Sequence, residues 1–409
     1  MPKLLQIGSS LNCGAPGKIA EQIGLLAMSR GWDVYMAHGV RHSNPSQLKT
    51  IPMVTPHEEK VHALYSMLLD RHGLGPARKT KRLVEWIRQN SPDVIHLHNI
   101  HGYFINYQVL FEYLVNTEIP IVWTFHDFWP ITGHCAHFDY NGCDKWKTLC
   151  HDCAYHHDYP FSLVDKSKKN YLLKKQAFTG LKNVELVSVS KWVAALLSES
   201  FLKDYPIRVI YNGVDTKMFR PRNSDVKTRL CLEGKFVLLG VASPWSPMKG
   251  LYDYYDLRRN LTDDFAIVMV GLSKKQIEAL PHGIIGIERT QSQDELAEYY
   301  SMADVTLNLS YQETFGMTTI EGMACGTPGI VYNKTASPEL VSPETGYAVE
   351  AKNIKAIVKA VLEIKKKGKA SYAEACRKRV LDKFDKNDRF ADYVDLYESL
   401  IVRPRVFND

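Results

Sequence analysis

The sequence predicts an α/β protein with two Rossmann-like domains, each a doubly wound parallel sheet. The chain has 409 residues, which is too long for one ordinary hydrophobic core. Strand-like and helix-like patterns alternate almost throughout, as is typical of parallel strands joined by crossover helices. The turn-forming pair Asn212-Gly213 ends one β-run and marks the boundary between two such series.

Short apolar runs give the predicted strands. In the N-terminal domain, residues 1–213, they are 4–8, 34–37, 94–98, 121–125, 184–189 and 207–211. In the C-terminal domain, residues 214–385, they are 236–241, 267–271, 284–287, 305–309 and 329–332. Residues 219–224 predict a linker, and residues 386–409 predict a C-terminal helix that packs back on the N-terminal domain.

Charge and hydropathy limit the partners. The net charge of +6 is too small to indicate nucleic acid, but it suits an enzyme that handles anionic diphosphates or lies near an anionic membrane surface. The apolar run 4–8 is too short for a signal peptide, and no run reaches the roughly 20 residues of a spanning helix. We therefore expect a soluble, cytoplasmic protein with at most peripheral contact at the inner face of the membrane.

The sharpest motif is residues 311–328, Tyr-Gln-Glu-Thr-Phe-Gly-Met-Thr-Thr-Ile-Glu-Gly-Met-Ala-Cys-Gly-Thr-Pro. A helix is predicted to start near Gly316 and to end at Gly326. Residues eight apart on one helix differ by about 80° in direction, so Glu313 is placed in the preceding loop and Glu321 inside the helix. Small residues expose backbone N–H groups at the helix start, and these groups with the helix dipole suit a diphosphate.

Two further loops follow predicted strands. The loop 242–250 carries Lys249 just before a helix, where its charge can offset that of a leaving phosphate. The loop 8–18 carries Gly14 and Gly17, whose missing side chains let the backbone approach a ligand. This second loop has neither the spacing of a Walker P-loop nor that of GxGxxG.

Histidines end two strands of the first domain. His126 and Asp127 follow the strand 121–125, and His98 ends the strand 94–98. Ligands of open α/β sheets bind beyond the carboxyl ends of the strands, so we expect these side chains in the interdomain crevice.

Residues 127–162 form a long insertion rich in cysteine, histidine and aromatic residues. Cys135, Cys143, Cys150 and Cys153 match the ligand number of a structural zinc site, although only the last pair has zinc-knuckle spacing. Nearby histidines could replace one ligand: His134, His137, His151, His156 and His157. Free or packed thiols remain open, and so do disulfides, which a cytosolic setting disfavours.

The motif 311–328 resembles the Glu-x7-Glu signature of glycosyltransferase family 4, which has the GT-B fold of two Rossmann-like domains facing each other across a cleft. The runs 129–135 and 143–147 resemble a subgroup of this family, the colanic-acid-type exopolysaccharide transferases. The resemblance implies a retaining enzyme of the hexosyltransferase type that needs no metal for its chemistry. It would move a sugar from a UDP- or GDP-sugar to a glycan or lipid-linked acceptor in exopolysaccharide, capsule or O-antigen biosynthesis.

The resemblance also implies roles for residues. Glu313 binds hydroxyls of the donor sugar, Glu321 holds the ribose, and Lys249 contacts the leaving phosphate. The backbone amides that stabilise the diphosphate and the sugar hydroxyls are those around Phe315, Gly316, Met317 and Thr318. Gly14 and Gly17 face the donor, His126 lies against the donor sugar or near the attacking acceptor, and His98 and Asp127 are acceptor-side candidates.

One position departs from the family pattern. Ser243 stands where the family usually has an arginine six residues before the lysine, and Arg289 or Lys18 could supply the missing charge. Because of this departure, a non-catalytic scaffold that binds a nucleotide sugar stays an alternative to the enzyme. A sugar-nucleotide epimerase of the same fold is the other alternative, and it would convert donor without any acceptor.

The basic run 166–175 is predicted to lie on a helix. A solvated face is one interpretation of it. A contact with anionic phospholipid or with a lipid-diphosphate acceptor is the other.

Overall fold

The computed structural model describes residues 1–402, and the chain divides into two units. Of the described residues, unit 1 contains 1–210 and 390–402, whereas unit 2 contains Tyr211–Arg389. Unit 2 thus begins close to the predicted boundary at residue 213. The last seven residues of the predicted C-terminal segment, 403–409, lie outside the described residues.

Unit 1 is built on a seven-stranded parallel sheet with the order β3-β2-β1-β4-β5-β6-β7. Its strands are β1 (Lys3–Gly8), β2 (Asp33–His38), β3 (Lys49–Pro52), β4 (Val94–Leu97), β5 (Ile121–Phe125), β6 (Val184–Ser188) and β7 (Ile207–Val209). Its helices are α1 (Gly14–Ser29), α2 (Pro56–Leu69), α3 (Ala77–Asn90), α4 (Tyr107–Leu114), α5 (Ser167–Phe178) and α6 (Lys191–Glu199). The strand order reverses between β1 and β4, which is where doubly wound sheets bind ligands.

Unit 2 is built on a six-stranded parallel sheet with the order β10-β9-β8-β11-β12-β13. Its strands are β8 (Phe236–Val241), β9 (Phe265–Val270), β10 (Ile284–Ile287), β11 (Val305–Asn308), β12 (Gly329–Tyr332) and β13 (Gly346–Val349). Its helices are α7 (Val226–Arg229), α8 (Leu251–Arg259), α9 (Lys274–Glu278), α10 (Gln293–Met302), α11 (Met317–Ala324), α12 (Ile354–Lys367) and α13 (Ala370–Phe384). Here the order reverses between β8 and β11.

The predicted α/β class with two Rossmann-like sheets is confirmed, and each predicted strand is present within a few residues. Sequence analysis missed the two short edge strands β3 and β13. Strand β3 (Lys49–Pro52) is largely exposed, so no apolar run marks it. An edge strand needs only one hydrogen-bonded neighbour and no second buried face, which removes the signal that reveals a central strand.

The predicted linker 219–224 is wrong at its start. Phe219 is buried in unit 2, and its backbone oxygen accepts a hydrogen bond of 2.8 Å from Arg377 of α13. The same guanidinium donates to the oxygens of Thr216 and Ala324. The sequence gives no sign of this long-range anchoring, which makes the segment part of the unit.

The last helix, α14 (Lys386–Val402), starts in unit 2 and continues into unit 1. Phe390, Tyr393, Val394 and Tyr397 belong to the same hydrophobic core as Leu4 of β1. These apolar residues recur at helical spacing, so one face of the helix covers the sheet of unit 1.

Candidate functional site

The first group of predicted residues lies at the switch point of the unit 2 sheet. Lys249 follows β8 and Glu313 follows β11, the two strands between which the order reverses. Lys249 Nζ lies 2.6 Å from Glu313 Oε1, and 26% and 17% of their side chains are exposed. The structure therefore joins two residues far apart in the sequence at the place where such sheets bind ligands.

Backbone contacts hold the two loops together. The N–H of Tyr311 donates to the oxygen of Met248 over 2.9 Å, and the hydroxyl of Ser310 donates to the same oxygen. Gly250 has a φ of +74°, and a Cβ there would lie 2.2 Å from the oxygen of Leu309. A side chain at this position would push the Lys249 loop away from β11, so glycine is required.

The helix α11 begins as predicted. Gly316 precedes Met317 with a φ of +105°, and a Cβ would meet Leu340 at 3.1 Å. No side chain caps the helix start, so the first N–H groups, at Met317 and Thr318, are open to an anion. The ring of Phe315 is buried and contacts the rings of Tyr211 and Phe384.

Glu321 lies inside α11, half-buried, as the spacing predicts. The hydroxyl of Tyr300 donates to its Oε2 over 2.8 Å, a partner that sequence analysis missed. Burial raises the pKa of Tyr300 well above its usual value, so this hydroxyl keeps its proton and orients the carboxylate.

The position of the missing family arginine is exposed. Ser243 follows β8 and lies at the surface, where it would contact a side chain placed on Gly271. Arg289 is exposed two residues beyond β10, at the same carboxyl edge of the unit 2 sheet. Lys18 belongs to α1 of unit 1.

The glycine loop of unit 1 follows β1 at the switch point of that sheet. Gly14 opens α1 with a φ of +63° and has open space around it. A Cβ on Gly17 would lie 2.7 Å from the hydroxyl oxygen of Ser10. Gly17 is therefore needed for the close packing of the loop on its own helix, and Gly14 for the turn.

A chain of hydrogen bonds fixes the protonation of His98 and His126. Gln6 Nε2 donates to the oxygen of Ala20, which leaves Gln6 Oε1 to accept from His98 Nε2 at 2.9 Å. His98 Nδ1 is then an acceptor, and His126 Nε2 donates to it over 3.2 Å. This arrangement makes His126 Nδ1 an acceptor, suited to hold a sugar hydroxyl.

Two residues that sequence analysis missed, His96 and Tyr397, extend this hydrogen-bonded histidine cluster. The ring of His96 contacts that of His98, with centroids 3.9 Å apart and the planes tilted by 41°, and it hydrogen-bonds Thr124. The hydroxyl of Tyr397 in α14 lies 2.6 Å from His96 Nδ1. Since α14 is remote in the sequence, no local pattern could have shown that it completes the histidine cluster.

Asp127 belongs to a separate hydrogen-bonded group. His101 Nε2 lies 2.7 Å from its Oδ2, and the backbone N–H of Trp129 donates to Oδ1. Burial opposes ionisation of Asp127, but attraction to His101 and these hydrogen bonds outweigh it and lower the pKa to about 2. The side chain therefore carries a negative charge at neutral pH, and His101 is a partner that the sequence did not show.

The histidine cluster predicts acid-sensitive stability. Burial lowers the pKa of His126 from 6.5 to about 4, and it lowers those of His96 and His98 well below 6.5. A depressed histidine pKa stabilises the fold above pH 6.5, and this stability is lost as the pH falls through 4. Lowering the pKa of His126 from 6.5 to about 4 corresponds to on the order of 3 kcal/mol.

Chemical denaturation at a series of pH values measures this loss. We expect the free energy of unfolding to fall between about pH 6.5 and 4, and His126→Gln to flatten the curve. The contribution of Asp127 has the same sign but is lost only at lower pH, because its pKa falls from 3.8 to about 2. A stability that stays constant down to about pH 4 would contradict this account.

The Cys-rich insertion is irregular and packs on its own aromatic residues. Phe138 stacks on Trp146 and contacts Phe128, with ring centroids 4.8 and 4.9 Å apart. Only short 3-10 turns occur in it, at Trp129–Ile131, Asp139–Asn141 and Lys145–Lys147. The insertion thus has a small aromatic core and no strand among its residues, all of which the structure describes.

The four clustered cysteines are free thiols, so the disulfide alternative is not seen. Burial raises the pKa of Cys150 to about 11, and burial with the charges of the other three thiols raises that of Cys135. In the described part of the chain, no group of three or more His, Cys, Asp or Glu side chains is placed to hold a metal ion. The zinc site at Cys135, Cys143, Cys150 and Cys153 stays a prediction, which metal analysis of the purified protein would check.

The basic run 166–175 does lie on a helix, α5, but it is not one solvated face. Lys174 is buried, and its Nζ donates to the oxygens of Trp129 and Thr132 over 2.7 and 3.1 Å. Burial lowers its pKa to about 7. Lys174 therefore anchors the start of the insertion, whereas Lys168 and Lys169 are exposed.

Two family models match the chain, and together they span most of it. The model for "Glycosyltransferase Family 4" matches residues 24–218, and the model for "Glycosyl transferases group 1" matches residues 233–380. The first match covers most of unit 1 and the second covers most of unit 2.

Known proteins resemble the chain over its full length. A putative colanic acid biosynthesis glycosyl transferase, WcaC of Escherichia coli K12, is 23% identical over 97% of this chain and 100% of its own. The solved sucrose-phosphate synthase of Thermosynechococcus elongatus gives a TM-score of 0.74 at 19% identity, covering 99% and 100% of the two chains. HepE of Anabaena, solved in complex with UDP-glucose, gives 0.66 at 15% identity over 97% and 99%.

Proposed function

Since the chain belongs to glycosyltransferase family 4, we propose that it transfers a sugar from a nucleoside diphosphate sugar to a hydroxyl group with retention of anomeric configuration. The observation that carries this proposal is the Lys249–Glu313 pair beside the uncapped start of α11. A cation, a carboxylate and open N–H groups meet there, and a sugar diphosphate offers a complementary partner to each.

The geometry suggests how the donor lies. The phosphates accept from the N–H groups of Met317 and Thr318 and from Lys249. Glu313 accepts hydrogen bonds from hydroxyls of the sugar, and Glu321 accepts them from hydroxyls of the ribose. The hydroxyl of Tyr300 holds the carboxylate of Glu321 in place. Unit 2 is thus proposed as the donor domain, and the N-terminal domain as the acceptor domain.

The chemical step follows from this placement. The bond between the anomeric carbon and the phosphate oxygen breaks, and the diphosphate leaves with the electron pair. Lys249 and the α11 amides stabilise the charge that develops on it. A phosphate oxygen takes the proton of the attacking hydroxyl on the same face, so the new bond forms with retention. No metal is needed for this step.

In unit 1, His126 is neutral at pH 7 because burial lowers its pKa to about 4, and its Nδ1 is proposed to accept from a sugar hydroxyl. Asp127 is charged and suited to a hydroxyl of the acceptor. His98 acts through His126, since its position fixes the ring that touches the sugar.

The acceptor proposed is a glycan or a lipid-linked oligosaccharide in exopolysaccharide, capsule or O-antigen biosynthesis. The name of WcaC refers to colanic acid biosynthesis, and another relative, from Klebsiella pneumoniae, is named for its position in a cps region. UDP-sugars are the proposed donors because HepE was solved with UDP and with UDP-glucose, and GDP-sugars are the alternative.

Thermal unfolding with nucleoside diphosphates and their sugars tests the proposal. We expect UDP and a UDP-sugar to stabilise the protein by about 2.7 kcal/mol at a hundred times the dissociation constant. Glu321→Ala should lose most of this stabilisation, because the ribose contact is removed. Glu278→Ala, an exposed glutamate of the same unit, is the matched control and should keep it. No stabilisation by any nucleoside diphosphate would refute the proposed donor site.

Two assays separate the alternatives. An epimerase converts the donor with no acceptor present, so incubation with donor alone identifies it. A scaffold binds the donor but never turns over with a panel of lipid-linked glycans. The configuration of the product, read by NMR, tests retention.

A further inference from the structure

Helix α2 (Pro56–Leu69) has its polar side inward and its apolar side outward. Its buried residues are Glu59, His62 and Ser66. Leu64 and Tyr65 are 51% and 55% exposed, and Leu68 is 41% exposed. A helix that only supports the fold buries its apolar side, so this reversal needs another explanation.

The inward polar groups explain why the helix docks this way round. Glu59 Oε2 accepts from the N–H groups of Val40 and Arg41 over 3.2 and 2.8 Å. His62 Nε2 lies 3.2 Å from the oxygen of Arg71. These hydrogen bonds fix the orientation of α2 about its own axis, and its leucines point outward as a consequence.

A neighbouring loop enlarges the exposed apolar surface. The N–H of Leu163 donates to the oxygen of Met67 over 2.7 Å, which places this loop beside the last turn of α2. Phe161, Leu163 and Val164 are exposed there. We call the combined surface the apolar face; its members are Val61, Leu64, Tyr65, Leu68, Leu69, Phe161, Leu163 and Val164.

Basic side chains flank the apolar face. Arg71 lines a groove of about 550 Å³ with Val61 and Tyr65. Helix α5 begins beside the end of α2, since the N–H of Lys166 donates to Asp70 Oδ2 over 2.9 Å. Exposed cations in this region are Lys60, Arg71, Lys168 and Lys169, and none of them forms an ion pair with a residue that the structure describes.

Three of the nearby acidic groups bind other groups of the chain. Glu58 caps α2 through Thr55 and pairs with Lys79 at 3.4 Å. Asp165 accepts from the N–H groups of Cys153 and Ser167. Asp70 is buried against His134. The exposed cations Lys60, Arg71, Lys168 and Lys169 outnumber the exposed carboxylates Asp152, Asp158 and Asp165, so the excess charge at this surface is positive.

From this reversed helix and its basic border we infer that the apolar face docks on an anionic phospholipid bilayer. The leucines and aromatic rings enter the boundary between headgroups and acyl chains, and the lysines contact lipid phosphates. Among the described residues, none of the helices could span a bilayer.

Charge favours a bilayer over a second copy of the chain. Two copies joined through the apolar face would bring Lys60 and Arg71 of each towards the same cations of the other. An anionic surface neutralises these charges, whereas a dimer would leave them in repulsion. The inference does not depend on the proposed catalytic activity, because vesicle binding requires no turnover.

Flotation with vesicles tests the inference. The protein should float with vesicles of phosphatidylcholine mixed with phosphatidylglycerol, and more weakly with phosphatidylcholine alone. Leu64→Gln with Leu68→Gln should weaken binding by about tenfold or more, since each leucine loses its burial in lipid. Leu362→Gln with Leu381→Gln, two exposed leucines of unit 2, is the matched control and should float like the unchanged protein.

A second pair of variants tests the charge. Lys168→Gln with Lys169→Gln should weaken binding to anionic vesicles by about tenfold, while Lys359→Gln with Lys366→Gln on α12 should not. Thermal unfolding should be unchanged in all these variants, because every substituted side chain is exposed. Absence of flotation, or equal flotation of the Leu64/Leu68 variant, overturns the inference. A dimer that this variant dissociates, without vesicle binding, overturns it in favour of a second copy.

Discussion

Replacing Lys249 by alanine is expected to lower kcat by about 10²–10³-fold, the effect of removing one preorganised contact to a charged leaving group. Lys249 is the cation that the structure places 2.6 Å from Glu313 and beside the start of α11. Without it, Glu313 repels the incoming diphosphate, so the dissociation constant of the donor should also rise. Steady-state kinetics with a nucleotide sugar and isothermal titration measure the two effects.

Three variants complete this test. Lys249→Arg keeps the charge and should recover part of the activity. Glu313→Gln removes the repulsion, so the double variant with Lys249→Ala should lose less than the two single losses combined. Lys274→Ala, an exposed lysine of α9, is the control and should be fully active. If Lys249→Ala keeps full turnover and donor affinity, the proposed role of this lysine is wrong.

Replacing Asp70 by alanine is expected to destabilise unit 1 by about 2–6 kcal/mol, because it leaves two donors, the ring of His134 and the N–H of Lys166, without an acceptor at about 1–3 kcal/mol each. Asp70 Oδ1 lies 2.7 Å from His134 Nδ1, and at most 2% of either side chain is exposed. Its backbone oxygen also accepts from Asn170, and its φ is +50°. The side chain of Asp70 thus ties the end of α2 to His134 of the Cys-rich insertion and, through the N–H of Lys166, to the start of α5.

Denaturant unfolding followed by tryptophan fluorescence measures this loss. Asp70→Asn should cost less, because asparagine tolerates the left-handed backbone and can still accept a hydrogen bond. Asp395→Ala removes an exposed ion pair with Arg30 and should change stability by at most about 1 kcal/mol. A loss below about 1 kcal/mol in Asp70→Ala would show that the insertion is held by other contacts.

The strands and the main motif could be predicted because their signals are local. Central strands such as β5 (Ile121–Phe125) and β12 (Gly329–Tyr332) are continuous apolar runs, which a parallel sheet covered on both faces requires. The start of α11 after Gly316 was predicted from residue types within a single turn. Of the four edge strands, β7 and β10 were predicted from apolar runs, whereas β3 and β13 were missed.

Buried polar partners could not be predicted in this way. Lys174 has the same sequence context as its exposed neighbours, yet it is buried and anchors the insertion. His134 was considered as a substitute zinc ligand, whereas the structure pairs it with Asp70. A polar residue can point inward from a helix when distant segments place hydrogen-bond donors or acceptors against it. Sequence periodicity contains no information on the positions of those donors and acceptors.

The sequence by itself determined the two Rossmann-like sheets, the helix start at residues 316–317 and the residue types that suit a sugar diphosphate. Only the tertiary structure decided that Lys249 and Glu313 form a pair, that His126 is neutral with a defined acceptor nitrogen, and that α2 turns its leucines outward. The physical reason is the distance along the sequence over which each interaction acts. Apolar periodicity acts within one element, whereas ion pairs, protonation states and exposed faces depend on groups that the fold brings together from far apart in the chain.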